Sequence, residues 1–140
     1  MSSGDPQEWL EQAEGDLRYS RLGRTEPGIP VNLVAFHAQQ ASEKALKALL
    51  VAAQVDFPRT HDLEDLLILL QQAGRRWPAG LDKVKELTPL AVQTRYPGFD
   101  DPVSEAEVDE AIRLAEVVVA WVKDELASSD DHEDGNLADD

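Results

Sequence analysis

Polar side chains recur at helical spacing in the stretch FHAQQASEKALKALL, residues 36–50. His37, Gln40, Lys44 and Lys47 follow one another at steps of three and four, so a helix would carry them in one row. Imidazole, amide and ammonium groups can bind a phosphate, a ribose or a base. The row therefore predicts either a solvated helix edge or one wall of a polar site.

Two interpretations of this row are open. In the first, His37 is a half-buried histidine that satisfies a neighbouring carbonyl, and Lys44 extends its charged end to solvent. In the second, Lys44 contacts a phosphate while Gln40 or His37 hydrogen-bonds a base or a ribose. Glu43 and Lys47 have the spacing of an i,i+4 ion pair, and no site role is expected for them.

A second group of polar residues lies in RTHDL, residues 59–63. Thr60 or Asp62 is expected to cap the helix that follows, which would account for both of them. Arg59 and His61 have two interpretations, as exposed residues of a helix entrance or as anion ligands at a helix amino end.

Arg95 and Tyr96 form the third group, immediately before the turn at Pro97 and Gly98. They would either pack at the core edge and pair with an acid, or contact a phosphate and a base. The candidate ligand-binding residues are listed together here: His37, Gln40, Lys44, Arg59, His61, Arg95 and Tyr96.

Composition excludes several classes of site. The chain has no cysteine, which removes disulfides, thiolate catalysis and thiolate metal sites, and neither His37 nor His61 has a partner at metal-ligand spacing. We expect no metal and no cofactor. We also expect no membrane contact, because no apolar run approaches the roughly 20 residues that span a bilayer. The polar, acidic start of the chain lacks a signal-peptide pattern, so a cytoplasmic location is expected.

Charge argues against strong nucleic-acid binding. The formal net charge is −15, and residues 129–140 hold six of the 28 acidic residues without any Lys or Arg. We therefore expect a disordered acidic tail over 128–140. Without residues 129–140 the formal charge is still −9, so binding to long nucleic acids should be weak at most.

The periodicity predicts an all-α fold with four or five helices in an up-and-down antiparallel bundle over residues 6–127. Helices are expected at 6–22, 31–53, 61–73 and 81–94, the fourth kinked or divided into two pieces by Pro89, with a last helix after Ser104. Asp5 and a Ser104–Glu107 capping box should start the first and last helices, and Gly74 should end the third. The three tryptophans are expected in the core or on a dimer face.

Four motifs in order resemble the HEPN domain family: FHAQQASEKALKALL, PRTHDLEDLL, TRYPG and VVVAWVKDEL. The resemblance covers about residues 6–127. It implies a small helical bundle, commonly a homodimer, of the kind often paired with minimal nucleotidyltransferases in prokaryotes. A nucleotidyltransferase-like protein is therefore an expected partner, as in toxin–antitoxin pairs.

Many members of this family resemble metal-independent ribonucleases, whose signature is an Arg followed after four to six residues by a His. This sequence has no such spacing: one residue separates Arg59 from His61, and no His follows Arg95 within that range. The resemblance then implies a non-catalytic module that binds a nucleotide or a partner protein. The alternatives are a ribonuclease with a degenerate site built from His37, His61 and Arg95, and a pure protein scaffold. Convergence of Lys44, His61 and Arg95 on one cleft would favour a ligand site.

Overall fold

Residues 4–91 and 103–139 form four α-helices and one 3₁₀ helix. They are α1 (Pro6–Thr25), α2 (Val31–Ala52), α3 (Leu63–Gln72), the 3₁₀ helix (Leu81–Ala91) and α4 (Glu105–Asp139). The computed structural model describes the backbone of residues 4–91 and 103–139 and the side chains of residues 4–90 and 103–128. The all-α fold class is confirmed. The boundary of a disordered tail at residue 128 stays a prediction, since the side chains beyond it lie outside the described part.

The second helix, α2, is the centre of the bundle. It contacts α1, α3, the 3₁₀ helix and α4, and its apolar side chains are fully buried from Ala38 to Leu50. A helix that is apolar on most of its circumference needs neighbours on several sides. The other helices each turn one stripe towards it, and Trp9, Trp77 and Trp121 pack partly buried against the same core, as expected.

The fourth predicted helix is a 3₁₀ helix, so the expectation of a kinked α-helix is corrected. Leu81, Val84 and Leu87 are buried at intervals of three residues, and Leu90 packs against the core one interval later. A 3₁₀ helix has three residues per turn, so this spacing keeps all four on one line, whereas an α-helix would rotate them apart. Pro89 inside the segment also lacks the N–H that a regular α-helix would use.

Side-chain caps start three of the helices. Asp5 Oδ1 accepts from the backbone N–H of Gln7 (2.9 Å), which confirms the predicted cap of α1. Ser104 and Glu107 form the predicted capping box, with contacts of 3.1 and 3.2 Å. Asp62 Oδ1 accepts from Glu64 N–H at 3.0 Å, so α3 begins at Leu63 and not at His61 as expected.

Two helices end in a left-handed residue. Gly74 (φ +82°) ends α3, where the N–H of Arg75 donates to Leu70 O (3.0 Å) and Gly74 N–H donates to Gln71 O (3.0 Å). This Schellman motif confirms the predicted stop. The end of α2 repeats it with a non-glycine residue, Gln54, at φ 60°.

Exposed ion pairs join α1 to α4. Arg24 donates to Asp109 (2.6 Å), Arg21 to Glu116 (2.7 Å) and Lys123 to Glu14 (3.4 Å), an order that makes the two helices antiparallel. The hydrogen bond from Arg24 lowers the pKa of Asp109, and the same bond raises the pKa of the Arg24 guanidinium. No helix in the described ranges is both long and apolar enough to span a bilayer.

Candidate functional site

The predicted row lies on the side of α2 that faces α1 and the loop before α3. His37, Gln40 and Lys44 are partly exposed, whereas Glu43 and Lys47, in the same stretch, are buried. We call His37, Gln40 and Lys44, together with Arg59 and His61, the polar strip. A buried charge is costly unless it is paired, so the partners of these side chains define what the strip offers.

Asp16 of α1 contacts two residues of the polar strip, His37 and Lys44. Its Oδ1 atom lies 2.9 Å from Nδ1 of His37, and its Oδ2 atom accepts a hydrogen bond from Nζ of Lys44 at 2.8 Å. The Asp16 side chain is 13% exposed, so this carboxylate is a shielded link between α1 and α2. The hydrogen-bond partner of His37 is therefore a carboxylate, and not the carbonyl considered from the sequence.

Glu43 of α2 contacts another residue of the polar strip, His61, and also the buried Lys47. Its Oε1 atom lies 3.0 Å from Nδ1 of His61, and its Oε2 atom accepts from Nζ of Lys47 at 3.0 Å. The Glu43 side chain is 4% exposed, whereas that of His61 is 55% exposed. The predicted i,i+4 pair of Glu43 and Lys47 is confirmed, but the expectation that it has no site role overlooked its contact with His61.

Aromatic rings surround the buried ammonium of Lys47. Its Nζ lies 5.7 Å from the ring centroid of Trp9 and 5.5 Å from that of Phe57. Such cation–π contacts partly replace the water that the ammonium loses on burial. The ammonium of Lys47 is thus buried and paired, so a ligand cannot contact it.

Two glutamines of α2, Gln39 and Gln40, extend the hydrogen bonds around Glu43 and His61. Nε2 of Gln39 donates to Glu43 Oε1 (3.2 Å) and to the backbone oxygen of His61 (3.4 Å). Nε2 of Gln40 donates in turn to Oε1 of Gln39 at 2.7 Å. The amide oxygen of Gln40 is left without a hydrogen-bond partner among the described residues.

The remaining predicted residues differ in placement. Arg59 is exposed and makes no ion pair with any described residue, while the hydroxyl of neighbouring Thr60 accepts from the N–H of Asp62 (3.0 Å) at the entrance to α3. Arg95 and Tyr96 lie outside the described residues. The structure thus brings His61 to the row on α2, and convergence with Arg95 stays a prediction.

Both histidines of the polar strip have the same chemical arrangement. Each presents Nδ1 to a shielded carboxylate, and neither Nε2 atom has a hydrogen-bond partner among the described residues. A carboxylate in this position fixes the ring orientation and leaves the second nitrogen for an external group. Within the described ranges, no three His, Asp or Glu side chains are grouped to hold a metal ion.

Sequence reasoning missed Asp16, Glu43 and Tyr19. Asp16 lies three residues after Ala13 and four before Ser20, both buried, so its place beside the apolar stripe was a usable signal. Tyr19 is 42% exposed and its ring centroid lies 4.1 Å from that of His37. No spacing rule pairs residues on two different helices, so this contact had no sequence signal.

One groove on the described surface is lined by other residues. It encloses about 640 Å³ between α1 and α4, over Leu17, Leu22 and Val119. None of the predicted ligand-binding residues lines it. The polar strip is thus not part of this groove.

Comparison with known proteins places these features in a family. The family model described as HEPN domain matches residues 6–125. TT1696 from Thermus thermophilus has a similar structure, with 31% sequence identity, a TM-score of 0.71, and coverage of 89% of this chain and 98% of the other. ST0689, described as an archaeal HEPN homologue, has 29% identity and a TM-score of 0.67, covering 87% of this chain and 98% of the other. No curated protein matches the chain.

Proposed function

The chain belongs to the HEPN domain family, and from this premise we propose that it is a non-catalytic module that binds a nucleotide on the polar strip. The ligand would lie along α2 from His37 towards Lys44, a rise of about 10 Å at 1.5 Å per residue. A nucleotide is of similar length. His61 and Arg59 would meet it from the loop that precedes α3.

One observation carries this proposal: both histidines of the polar strip are oriented by shielded carboxylates and open at Nε2. A ring held in this way needs no reorganisation when a ligand arrives, which lowers the cost of binding. Histidines that served only to satisfy the interior would not need to leave a nitrogen open at the surface.

The spacing of Arg and His supports the proposal of a non-catalytic module. The ribonucleases of the family are expected to carry an Arg and a His four to six residues apart, and this sequence has no such pair. Arg59 and His61, one residue apart, are the nearest approximation, and His61 is tied to Glu43. We therefore rank a degenerate ribonuclease below a binding module.

Calorimetric titration with ATP, GTP and a short RNA tests the proposal. We expect a nucleotide to bind the wild-type chain and His61→Ala to weaken that binding about tenfold or more, since one oriented partner is lost. Arg76→Ala is the control, because Arg76 is exposed like His61 but lies outside the polar strip, beyond the other end of α3. Absence of heat with all three ligands, or cleavage of the RNA, would contradict the proposal.

Binding of a protein partner is the second candidate. Exposed apolar side chains favour it: Leu22 is 60% exposed and Val117 36%. Such a partner could be a second copy of the chain or a nucleotidyltransferase-like protein. Light scattering of the wild-type chain and of Leu22→Ser would separate these cases, since a self-associating face around Leu22 predicts a dimer that the variant weakens.

A further inference from the structure

We propose that Asp16 and Glu43 are positioning residues that make the polar strip a row of hydrogen-bond acceptors, so that it recognises the N–H and O–H donors of a nucleoside and not the phosphates. This inference rests on the proposed function and specifies which part of the nucleotide is recognised. Its argument starts from the hydrogen bonds inside the strip.

The first acceptor is Nε2 of His37. Asp16 Oδ2 accepts from Lys44, and Oδ1 faces Nδ1 of His37 at 2.9 Å. An ionised carboxylate only accepts, so Nδ1 is the nitrogen that carries the proton. In a neutral imidazole the other nitrogen, Nε2, is then an acceptor.

The second acceptor is Nε2 of His61, by the same reasoning. Glu43 accepts from Lys47 at Oε2 and faces His61 Nδ1 with Oε1 at 3.0 Å. The Nε2 atom of His61 belongs to a side chain that is 55% exposed, so a ligand can reach it.

The third acceptor is the amide oxygen of Gln40. Because Nε2 of Gln40 donates to Gln39, its oxygen is the atom left for a ligand. His37 and Gln40 are one helical turn apart, roughly 5–6 Å between Cβ atoms, and Glu43, which holds His61, begins the next turn. The three acceptors therefore follow one another along the helix.

The two lysines that α2 carries in this region are already paired. Lys44 is bound to Asp16 and Lys47 to Glu43, which leaves only Arg59 without an ion pair to a described residue. Acceptor nitrogens and oxygens repel phosphate oxygens, which are acceptors themselves. The interpretation of Lys44 as a phosphate ligand is therefore replaced by one in which Lys44 holds Asp16 in place.

Adenosine has donors that match this row. Its exocyclic amine and its 2′- and 3′-hydroxyls are N–H and O–H groups on a rigid frame. The exposed ring of Tyr19, 4.1 Å from the His37 ring, adds an aromatic surface at the same end of the strip. Aromatic surfaces of this kind favour a planar base.

The orientation of the histidines can be tested without a ligand. Long-range ¹H–¹⁵N spectra at pH 8, where free imidazole is neutral, report which ring nitrogen carries the proton. We expect His37 and His61 to be protonated at Nδ1, and Asp16→Asn to give a mixture for His37 alone. Protonation of both rings at Nε2 would overturn the inference, whether or not a ligand binds.

Binding specificity is tested by titration with adenosine, AMP, inosine and inorganic phosphate. We expect adenosine and AMP to bind within about threefold of each other, and inosine, which replaces the amine by a carbonyl, to bind about tenfold more weakly. Inorganic phosphate should not compete. Competition by phosphate, or AMP binding far tighter than adenosine, would overturn this inference while leaving the proposed nucleotide site intact.

The positioning role is tested by Asp16→Asn, with Glu14→Gln as its control. Glu14 is an acid of the same helix that pairs with Lys123 at the surface. We expect Asp16→Asn to reduce adenosine affinity about tenfold, and Glu14→Gln to leave it unchanged. Equal affinities for the three proteins would overturn the role of Asp16, and no binding by the wild-type chain would contradict the proposed function itself.

Discussion

The Oε1 atom of Glu43 lies 3.0 Å from Nδ1 of His61, so a carboxylate in the middle of the central helix holds a histidine on the loop before α3. The same carboxylate holds Lys47 one helical turn later. A single acid thereby stabilises a buried ammonium and fixes an exposed imidazole. Under the proposed function, stability and ligand recognition are linked at this residue.

Replacing Glu43 by Gln should strongly destabilise the chain. The substitution leaves the ammonium of Lys47, which is 8% exposed, without its counter-charge. Breaking one side of a buried ion pair costs about 3–5 kcal/mol. Urea denaturation of the variant should therefore show a loss of about 3 kcal/mol in the free energy of unfolding.

Glu110→Gln is the control for this variant, because Glu110 pairs with Arg113 at 2.7 Å on an exposed surface. Exposed pairs contribute about 1 kcal/mol or less, so only a small change is expected. A loss below 1 kcal/mol for Glu43→Gln would show that Lys47 is not dependent on Glu43.

Ser42→Ala should stabilise the chain. The hydroxyl of Ser42 is buried in α2 and has no hydrogen-bond partner among the described residues. Removing an unsatisfied buried hydroxyl recovers about 1 kcal/mol, and alanine is also the better helix former. Thermal unfolding should show a higher Tm for Ser42→Ala, and a lower Tm would indicate a hydrogen bond that the structure does not contain.

Gln54→Gly should also stabilise the chain, because Gln54 ends α2 at φ 60°. A left-handed conformation costs a residue with a Cβ about 1 kcal/mol and costs glycine little. We expect a gain of about 0.5–1 kcal/mol by urea denaturation.

The reciprocal change, Gly74→Ala, should lower the free energy of unfolding by about 1 kcal/mol. Gly74 has φ +82° and nothing lies within 4 Å of an added Cβ, so the whole loss would come from the backbone. The changes in the free energy of unfolding should have opposite signs for Gln54→Gly and Gly74→Ala. Equal signs would contradict the left-handed conformations of Gln54 and Gly74.

Two glycines of α1 should respond differently to alanine. Gly15 is exposed with open space around it. Gly15→Ala should therefore raise the free energy of unfolding by about 1 kcal/mol, because alanine has a higher helix propensity than glycine. At Gly23 an added Cβ would lie 3.1 Å from Val34 and 3.2 Å from Ile29. Gly23→Ala should therefore gain less than Gly15→Ala in the same denaturation series, and an equal gain would mean that α1 and α2 can separate without cost.

Binding to long RNA should be weak and sensitive to salt. The chain has a formal charge of −15, and most of the lysines and arginines described above are already paired with acids. Fluorescence anisotropy with a labelled RNA should show a Kd that rises steeply between about 50 and 200 mM salt. Tight binding at about 200 mM salt would contradict this expectation. It would indicate a basic surface, although most of these side chains are paired with acidic residues.

The fold could be predicted because its signals are local. Asp5 before Pro6 started α1, Gly74 ended α3, and the Ser104–Glu107 pair started α4, each through contacts between residues close in the chain. The 3₁₀ helix was missed because a single step of three residues is common in both helix types, whereas its repetition from Leu81 to Leu90 does not fit one face of an α-helix. Pro89 was the signal that favoured a departure from it.

The site could be predicted only in part. The row on α2 follows from helical spacing, and His61 was placed correctly at the entrance of α3. The carboxylate partners of the two histidines are far away in the chain: Asp16 precedes His37 by 21 residues, and Glu43 precedes His61 by 18. Pairing over such separations depends on how the helices pack, which helix periodicity does not encode.

The position of the polar strip on α2 has a consequence for binding kinetics. Because α2 contacts every other described helix, its opening requires unfolding of the whole bundle. The backbone that carries His37, Gln40 and Lys44 is therefore fixed before any ligand arrives. Association should then be a single encounter step without a slow conformational phase, and the affinity should be determined by the dissociation rate.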